Sequence, residues 1–150
     1  MSRRNRQPAV ILLADDDPGD QELTRRTLEE SAFETELRIV TNGESALDYL
    51  HRRGAYADAR TAPRPDLVLL DLNMPRIDGK RVLEEMRACD DLCRIPVVIL
   101  TTSQQEEDIL RSYDLGCNSF VTKPIEIENF MKTVRGMGTY WLELVLLPPH

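Results

Sequence analysis

The chain has 150 residues, 41% of them hydrophobic and 30% charged, and a formal net charge of −7; these values suit one globular domain with a full core. The acidic balance argues against sequence-independent binding to nucleic acid. No apolar run reaches the ~18 residues that would span a membrane, and the polar, Arg-rich start Met1–Gln7 lacks the pattern of a signal peptide. Residues 1–7 therefore read as a flexible arm on a cytoplasmic protein.

Ala9-Val10-Ile11-Leu12-Leu13-Ala14 reads as a strand buried on both faces. Asp17-Pro18 then supplies a helix start, with Asp as N-cap and Pro in the first turn. Leu23, Thr27, Leu28 and Ala32 form that helix's apolar stripe. Glu36–Val40 is a second, short strand, and Thr41 to Glu44 reads as a capping box opening a second helix with Ala46, Leu47 and Leu50 inward. His51 to Pro65 is polar, with Gly54, Pro63 and Pro65, and reads as an irregular surface excursion.

Leu67–Leu70 is a third strand, followed by a helix that starts at Asp78-Gly79 and turns Val82, Leu83 and Met86 inward. Val97–Leu100 is a fourth strand. Ser103 to Glu106 is a second capping box, ahead of a helix carrying Ile109, Leu110 and Tyr113. Ser119–Thr122 is the fifth strand. From Ile127 to about Leu146, Phe130, Val134, Met137, Trp141, Leu144 and Val145 recur at helical spacing, and Pro148-Pro149 stops the segment. The domain is expected over residues 8–147, with an extended C-terminal helix and tail from about 126. The tail has apolar residues on more than one face, so Phe130, Val134, Trp141, Leu144 and Val145 are candidate contacts of a homodimer. Cys89, Cys93 and Cys117 are too few for a disulfide framework and read as free thiols.

Five strands alternating with helices predict a three-layer, doubly wound (βα)5 domain on a parallel sheet. Ligands of such sheets bind at the carboxyl ends of the strands. Asp15 and Asp16, Asp71, Thr101 and Lys123 all fall at or just past such ends. Clustered carboxylates repel one another, and a hard divalent cation relieves that conflict. Oxygen ligands without convergent His or Cys point to Mg²⁺. A strand-end carboxylate can also accept a phosphoryl group as an acyl phosphate. The Lys123 ammonium and the Thr101 hydroxyl suit the transferred group's spread negative charge.

At this point the residues resemble the receiver domain of two-component response regulators. The resemblance is carried by Leu12-Leu13-Ala14-Asp15-Asp16-Asp17, Leu70-Asp71-Leu72-Asn73-Met74-Pro75, Asp78-Gly79, Leu100-Thr101 and Phe120-Val121-Thr122-Lys123-Pro124. Asp16-Asp17-Pro18-Gly19-Asp20, Leu100-Thr101-Thr102-Ser103, the 51–65 connection and the Trp141 to Pro149 tail narrow it to single-domain regulators paired with phytochrome histidine kinases. It implies a flavodoxin-like strand order 2-1-3-4-5, with Asp71 as phosphoacceptor. Mg²⁺ would be bound by Asp16, Asp71 and the Asn73 carbonyl, and by Asp15 through water. Lys123 would pair with Asp71 and then with the phosphoryl group, ahead of a cis bond to Pro124. Thr101 and Phe120 would form the switch, and Asn73 and Ser103 would tune dephosphorylation. Thr102 departs from the pattern, since many receivers have Ala there.

The expected function is that of a stand-alone response regulator, phosphorylated by a sensor histidine kinase and signalling through a partner protein. Apart from slow self-catalysed phosphorylation and dephosphorylation, no enzymatic turnover is expected. A Mg²⁺-dependent aspartyl-phosphate hydrolase is the first alternative. Haloacid-dehalogenase-type enzymes, however, want a second Asp two residues after the nucleophile, and Asn73 cannot protonate a leaving group. A degenerate receiver serving only dimerisation is the second alternative, opposed by the complete set Asp15, Asp16, Asp71, Thr101 and Lys123.

Overall fold

The computed structural model describes residues 8–31, 34–111 and 119–135. Strands β1 (Ala9–Ala14), β2 (Thr35–Val40), β3 (Leu67–Asp71), β4 (Val97–Thr101) and β5 (Ser119–Thr122) alternate with helices α1 (Pro18–Glu29), α2 (Gly43–His51), α3 (Gly79–Ala88), α4 (Gln104–Arg111) and α5 (Ile127–Arg135). The strands form one five-stranded sheet in the order β2-β1-β3-β4-β5, and all four pairings are parallel. The expected architecture and strand order are both present.

Alternation along the strands splits the core into two layers. Leu12, Ala14, Val68, Leu70, Val97 and Ile99 face α2 and α3, meeting Leu47, Leu50, Val82, Leu83 and Met86. Ile11, Leu13, Leu67, Leu69, Val98 and Leu100 face the other way, onto Leu28, Phe130 and Val134. Every residue of β3 and β4 is buried, which explains their near-continuous apolar sequence. A one-residue slip would exchange the two layers and set Asp71 off the rim.

The helix starts follow side-chain capping. Asp17 accepts from the Gly19 and Asp20 amides, and Asp78 accepts from that of Arg81. At α2 the cap is Asn42 and not Thr41, with Asn42 Oδ1 accepting from Ser45 N at 2.7 Å. The shift by one residue puts Gly43 against the loop before α3, where an added Cβ would lie 1.8 Å from Ile77 O. Gly43→Ala should therefore destabilise the domain by about 2–3 kcal/mol, the scale of an overpacking clash against backbone. Chemical denaturation measures it, and a neutral result would refute the close approach.

The 51–65 connection is anchored along its length. It begins at Arg52, whose φ of 57° closes α2 in the left-handed region, and contains a 3-10 turn at Gly54–Tyr56. Tyr49 Oη donates to Pro63 O at 2.9 Å, and Ala62 is buried in the α2–α3 layer.

The C-terminal segment revises one expectation. Phe130 and Val134 are fully buried in the layer behind β1, β3 and β4. As dimer contacts they are corrected: their side chains fill this domain's own core, because among the described residues the α5 stripe and α1 cover that sheet face. Trp141, Leu144 and Val145 lie outside the described residues, as do Met137, Tyr113, Cys117 and Ala32. Cys89 and Cys93 are half-buried free thiols. Among the described residues, no helix is long and apolar enough to cross a membrane.

Candidate phosphoacceptor and metal site

Parallel pairing brings the carboxyl ends of β1, β3, β4 and β5 to one rim, and the polar residues gather there. Asp71 ends β3 and is 4% exposed. Its Oδ1 accepts from Asn73 N at 3.2 Å, and its Oδ2 accepts from Lys123 Nζ at 3.0 Å. Gly79 lets the first turn of α3 press against this strand end, since a Cβ there would meet Asp71 O at 2.3 Å.

Asp15 follows β1 and is completely buried. Its Oδ1 accepts from Asp17 N at 3.0 Å. Lys123 Nζ stands 3.0 Å from its Oδ2, at an angle that leaves this buried oxygen without a well-formed hydrogen bond. Asp16 is exposed, yet one carboxylate oxygen each from Asp15, Asp16 and Asp71 lie within 4.8 Å of one another. Three converging carboxylates, one with an unsatisfied buried oxygen, fit a hard divalent cation. Thr101 Oγ1 is another buried oxygen without a hydrogen-bond partner among the described residues, and it closes β4, the strand paired with β3.

Lys123 follows β5, its N–H donating to Thr101 O at 2.7 Å, and the Lys123–Pro124 bond is cis as expected. Its ammonium also reaches Asp20 Oδ2 at 2.9 Å. Burial alone would lower the lysine's pKa; hydrogen bonds to Asp20 and Asp71, with the Asp15 carboxylate close by, outweigh it and hold the pKa above the ordinary value. Burial pushes the Asp15 carboxyl above its ordinary range, against the lowering effects of the Asp17 amide and Lys123.

A ring of groups surrounds this centre. Asn73 Nδ2 donates to Glu106 Oε2 at 2.9 Å, and Thr102 N donates to Glu106 Oε1 at 3.0 Å. Ser103 caps α4, its Oγ accepting from Glu106 N at 3.2 Å. Phe120 is half-buried, with the Arg111 guanidinium 4.3 Å from its ring centroid, a cation–π distance.

The structure thus brings Asp15, Asp16, Asp71 and Lys123 together, with Thr101 and Asn73 on the adjoining strand ends and loop. Sequence reasoning missed two neighbours. Asp20, in the first turn of α1 where the helix dipole favours an acid, is also a direct partner of Lys123. Glu106 was expected to complete a capping box on Ser103, and it reaches Thr102 and Asn73 instead. The signal for both was positional: each lies in the first turn of a helix that starts at the same rim.

With this geometry in view, comparison with known proteins is specific. Residues 11–135 match the response regulator receiver domain. The response regulator Rcp1 of Synechocystis sp. is 43% identical over 148 residues, covering 99% of each chain. The Mn²⁺-bound form of Rcp1 superposes with a TM-score of 0.72 at 43% identity, over 94% of this chain and 99% of that one. The bacteriophytochrome response regulator AtBRR gives a TM-score of 0.83 at 43% identity, over 90% and 96%. The phosphorylated cyanobacterial phytochrome response regulator RcpA gives 0.73 at 40%, over 91% and 95%.

Proposed function

The chain belongs to the response regulator receiver domain family, and from that premise we propose that it accepts a phosphoryl group on Asp71 from the phosphohistidine of a sensor kinase. The observation that carries the proposal is the buried Asp71 carboxylate, hydrogen-bonded to Lys123 at 3.0 Å beside the converging Asp15 and Asp16 carboxylates. An Asp71 oxygen attacks phosphorus, the P–N bond breaks, and its electron pair leaves on the imidazole nitrogen. Lys123 neutralises charge on the phosphoryl oxygens, and the Thr101 hydroxyl donates to one of them.

Mg²⁺ is the proposed cation, held by Asp16, Asp71 and the Asn73 carbonyl, with Asp15 acting through water. When bound, it supplies charge neutralisation for the carboxylates and the incoming phosphate oxygens. Phe120 moves with Thr101 as the switch, and Asn73 and Ser103 set how long the phosphoryl group survives. The new charge shifts a two-state surface read by a partner protein.

Similarity to bacteriophytochrome and phytochrome regulators supports a phytochrome histidine kinase as the donor and a cytoplasmic setting. Homodimerisation through the tail carrying Trp141, Leu144 and Val145 completes the proposal. The deciding experiment offers the protein acetyl phosphate, and separately a phosphorylated phytochrome kinase, with Mg²⁺. Intact mass should rise by one phosphoryl group in the native chain and stay unchanged in Asp71→Asn. Equal labelling of Asp71→Asn would remove Asp71 from the role.

A further inference from the structure

We infer that Glu106 is an anionic latch across the mouth of the Asp71 site, closed in this structure and opened by the charge that arrives on Asp71; the inference rests on Asp71 being the phosphoacceptor. One carboxylate ties two loops. Its Oε2 holds the Asn73 side chain from the loop after β3, and its Oε1 holds the Thr102 amide from the loop after β4. Asn73 is gripped from both sides, because its own backbone N–H donates to Asp71 Oδ1 at 3.2 Å. A single residue therefore connects the Asp71 carboxylate to the Glu106 carboxylate.

Both partners that fix the Glu106 carboxylate are neutral N–H donors. Their hold is sensitive to added negative charge nearby. A phosphoryl group replaces one carboxylate charge on Asp71 with about two and adds three strong acceptor oxygens. Those oxygens repel Glu106 and compete for the donors it occupies.

Opening has a defined mechanical result. Glu106 lies in the first turn of α4, where its amide also donates to Ser103 Oγ. At the other end of the same helix, Arg111 caps the Phe120 ring at 4.3 Å. Releasing Glu106 frees the rim end of α4 while Arg111 still couples its far end to β5. The charge on Asp71 becomes a displacement of one helix. Glu106 is in this sense a positioning residue, acting through Asn73 and Thr102.

The test compares Glu106→Gln, Glu106→Ala, native protein and Asp71→Asn with acetyl phosphate and Mg²⁺. Glutamine loses the charge and keeps one of the two acceptor oxygens, while alanine removes both. Both Glu106 variants should acquire the phosphoryl group about three- to tenfold faster than native protein, the scale of one partly screened unit charge. In ¹H–¹⁵N spectra, beryllofluoride should move the native Asn73 side-chain amide to its position in ligand-free Glu106→Ala. A Glu106→Gln rate equal to native, or an Asn73 amide that beryllofluoride leaves in place, would reduce Glu106 to a static tie between two loops and overturn the latch. Native protein that takes up no phosphate would overturn the receiver reading and the latch together. Native protein labelled at Asp71 with unaltered Glu106 variants overturns the latch alone.

Discussion

Lys123→Ala should lose about 3 kcal/mol of stability at neutral pH in metal-free buffer, because it leaves buried carboxylates without their common cation. Asp15 is fully buried and Asp71 nearly so, and the ammonium lies within 3.0 Å of both and 2.9 Å from Asp20. The sign of the pH dependence follows from Asp15. Its folded pKa is raised above the ordinary 3.8, with burial as the leading cause, so its ionised form weakens the fold above that pH and costs nothing below it. Removing Lys123 enlarges that penalty, so the gap between variant and native protein should close as pH falls toward 4. The native lysine behaves oppositely: its folded pKa is raised, so its contribution is complete below 10.5 and fades as pH rises through the folded value. Urea denaturation at neutral and acid pH, with and without Mg²⁺, measures the loss and its closing toward pH 4. Equal stability of the two proteins at pH 7 without metal would remove the electrostatic account.

Phe130→Ala should cost about 3–5 kcal/mol, the penalty for emptying a large aromatic site in a close-packed core. Phe130 is completely buried against Ile11, Leu13, Leu69 and Leu100 in one layer. A loss of that size lowers the thermal midpoint of a domain this long by about 10–20 °C. Sedimentation at a temperature where the variant is folded should show native self-association. Trp141→Ala, in contrast, should weaken any dimer with little effect on the midpoint. A Phe130→Ala protein of native stability that no longer self-associates would restore Phe130 to the interface and displace it from the core.

The strands were legible because β1, β3 and β4 are covered on both faces, which turns burial into continuous apolar runs. Asp71, Asp15 and Lys123 were legible because carboxylates and a lysine at the ends of such runs require partners. Local signals fell short where two candidates stood side by side. Thr41 and Asn42 can both cap a helix, and the choice of Asn42 depends on Gly43 meeting Ile77, a contact no local pattern carries. The α5 stripe was legible as apolar but not by destination, since a core face and an interface face have the same spacing. Asp20 and Glu106 were hidden for a related reason. Each has a sufficient local explanation in its own helix, and their second partners, Lys123 and Asn73, lie 103 and 33 residues away.

Those separations also bear on how the protein is made. Lys123 closes contacts with Asp20 across 103 residues and with Asp71 across 52. At about 5–20 residues per second, a ribosome needs roughly 5–20 s to pass from Asp20 to Lys123. Until Lys123 emerges, the acids already made lack their common cation, and β4, once made, has no β5 along its outer edge. Non-local pairings of this kind are the slow ones in folding. The proposed phosphoacceptor centre is thus complete only once β5 has docked, so phosphorylation of Asp71 would report that β5 is in place.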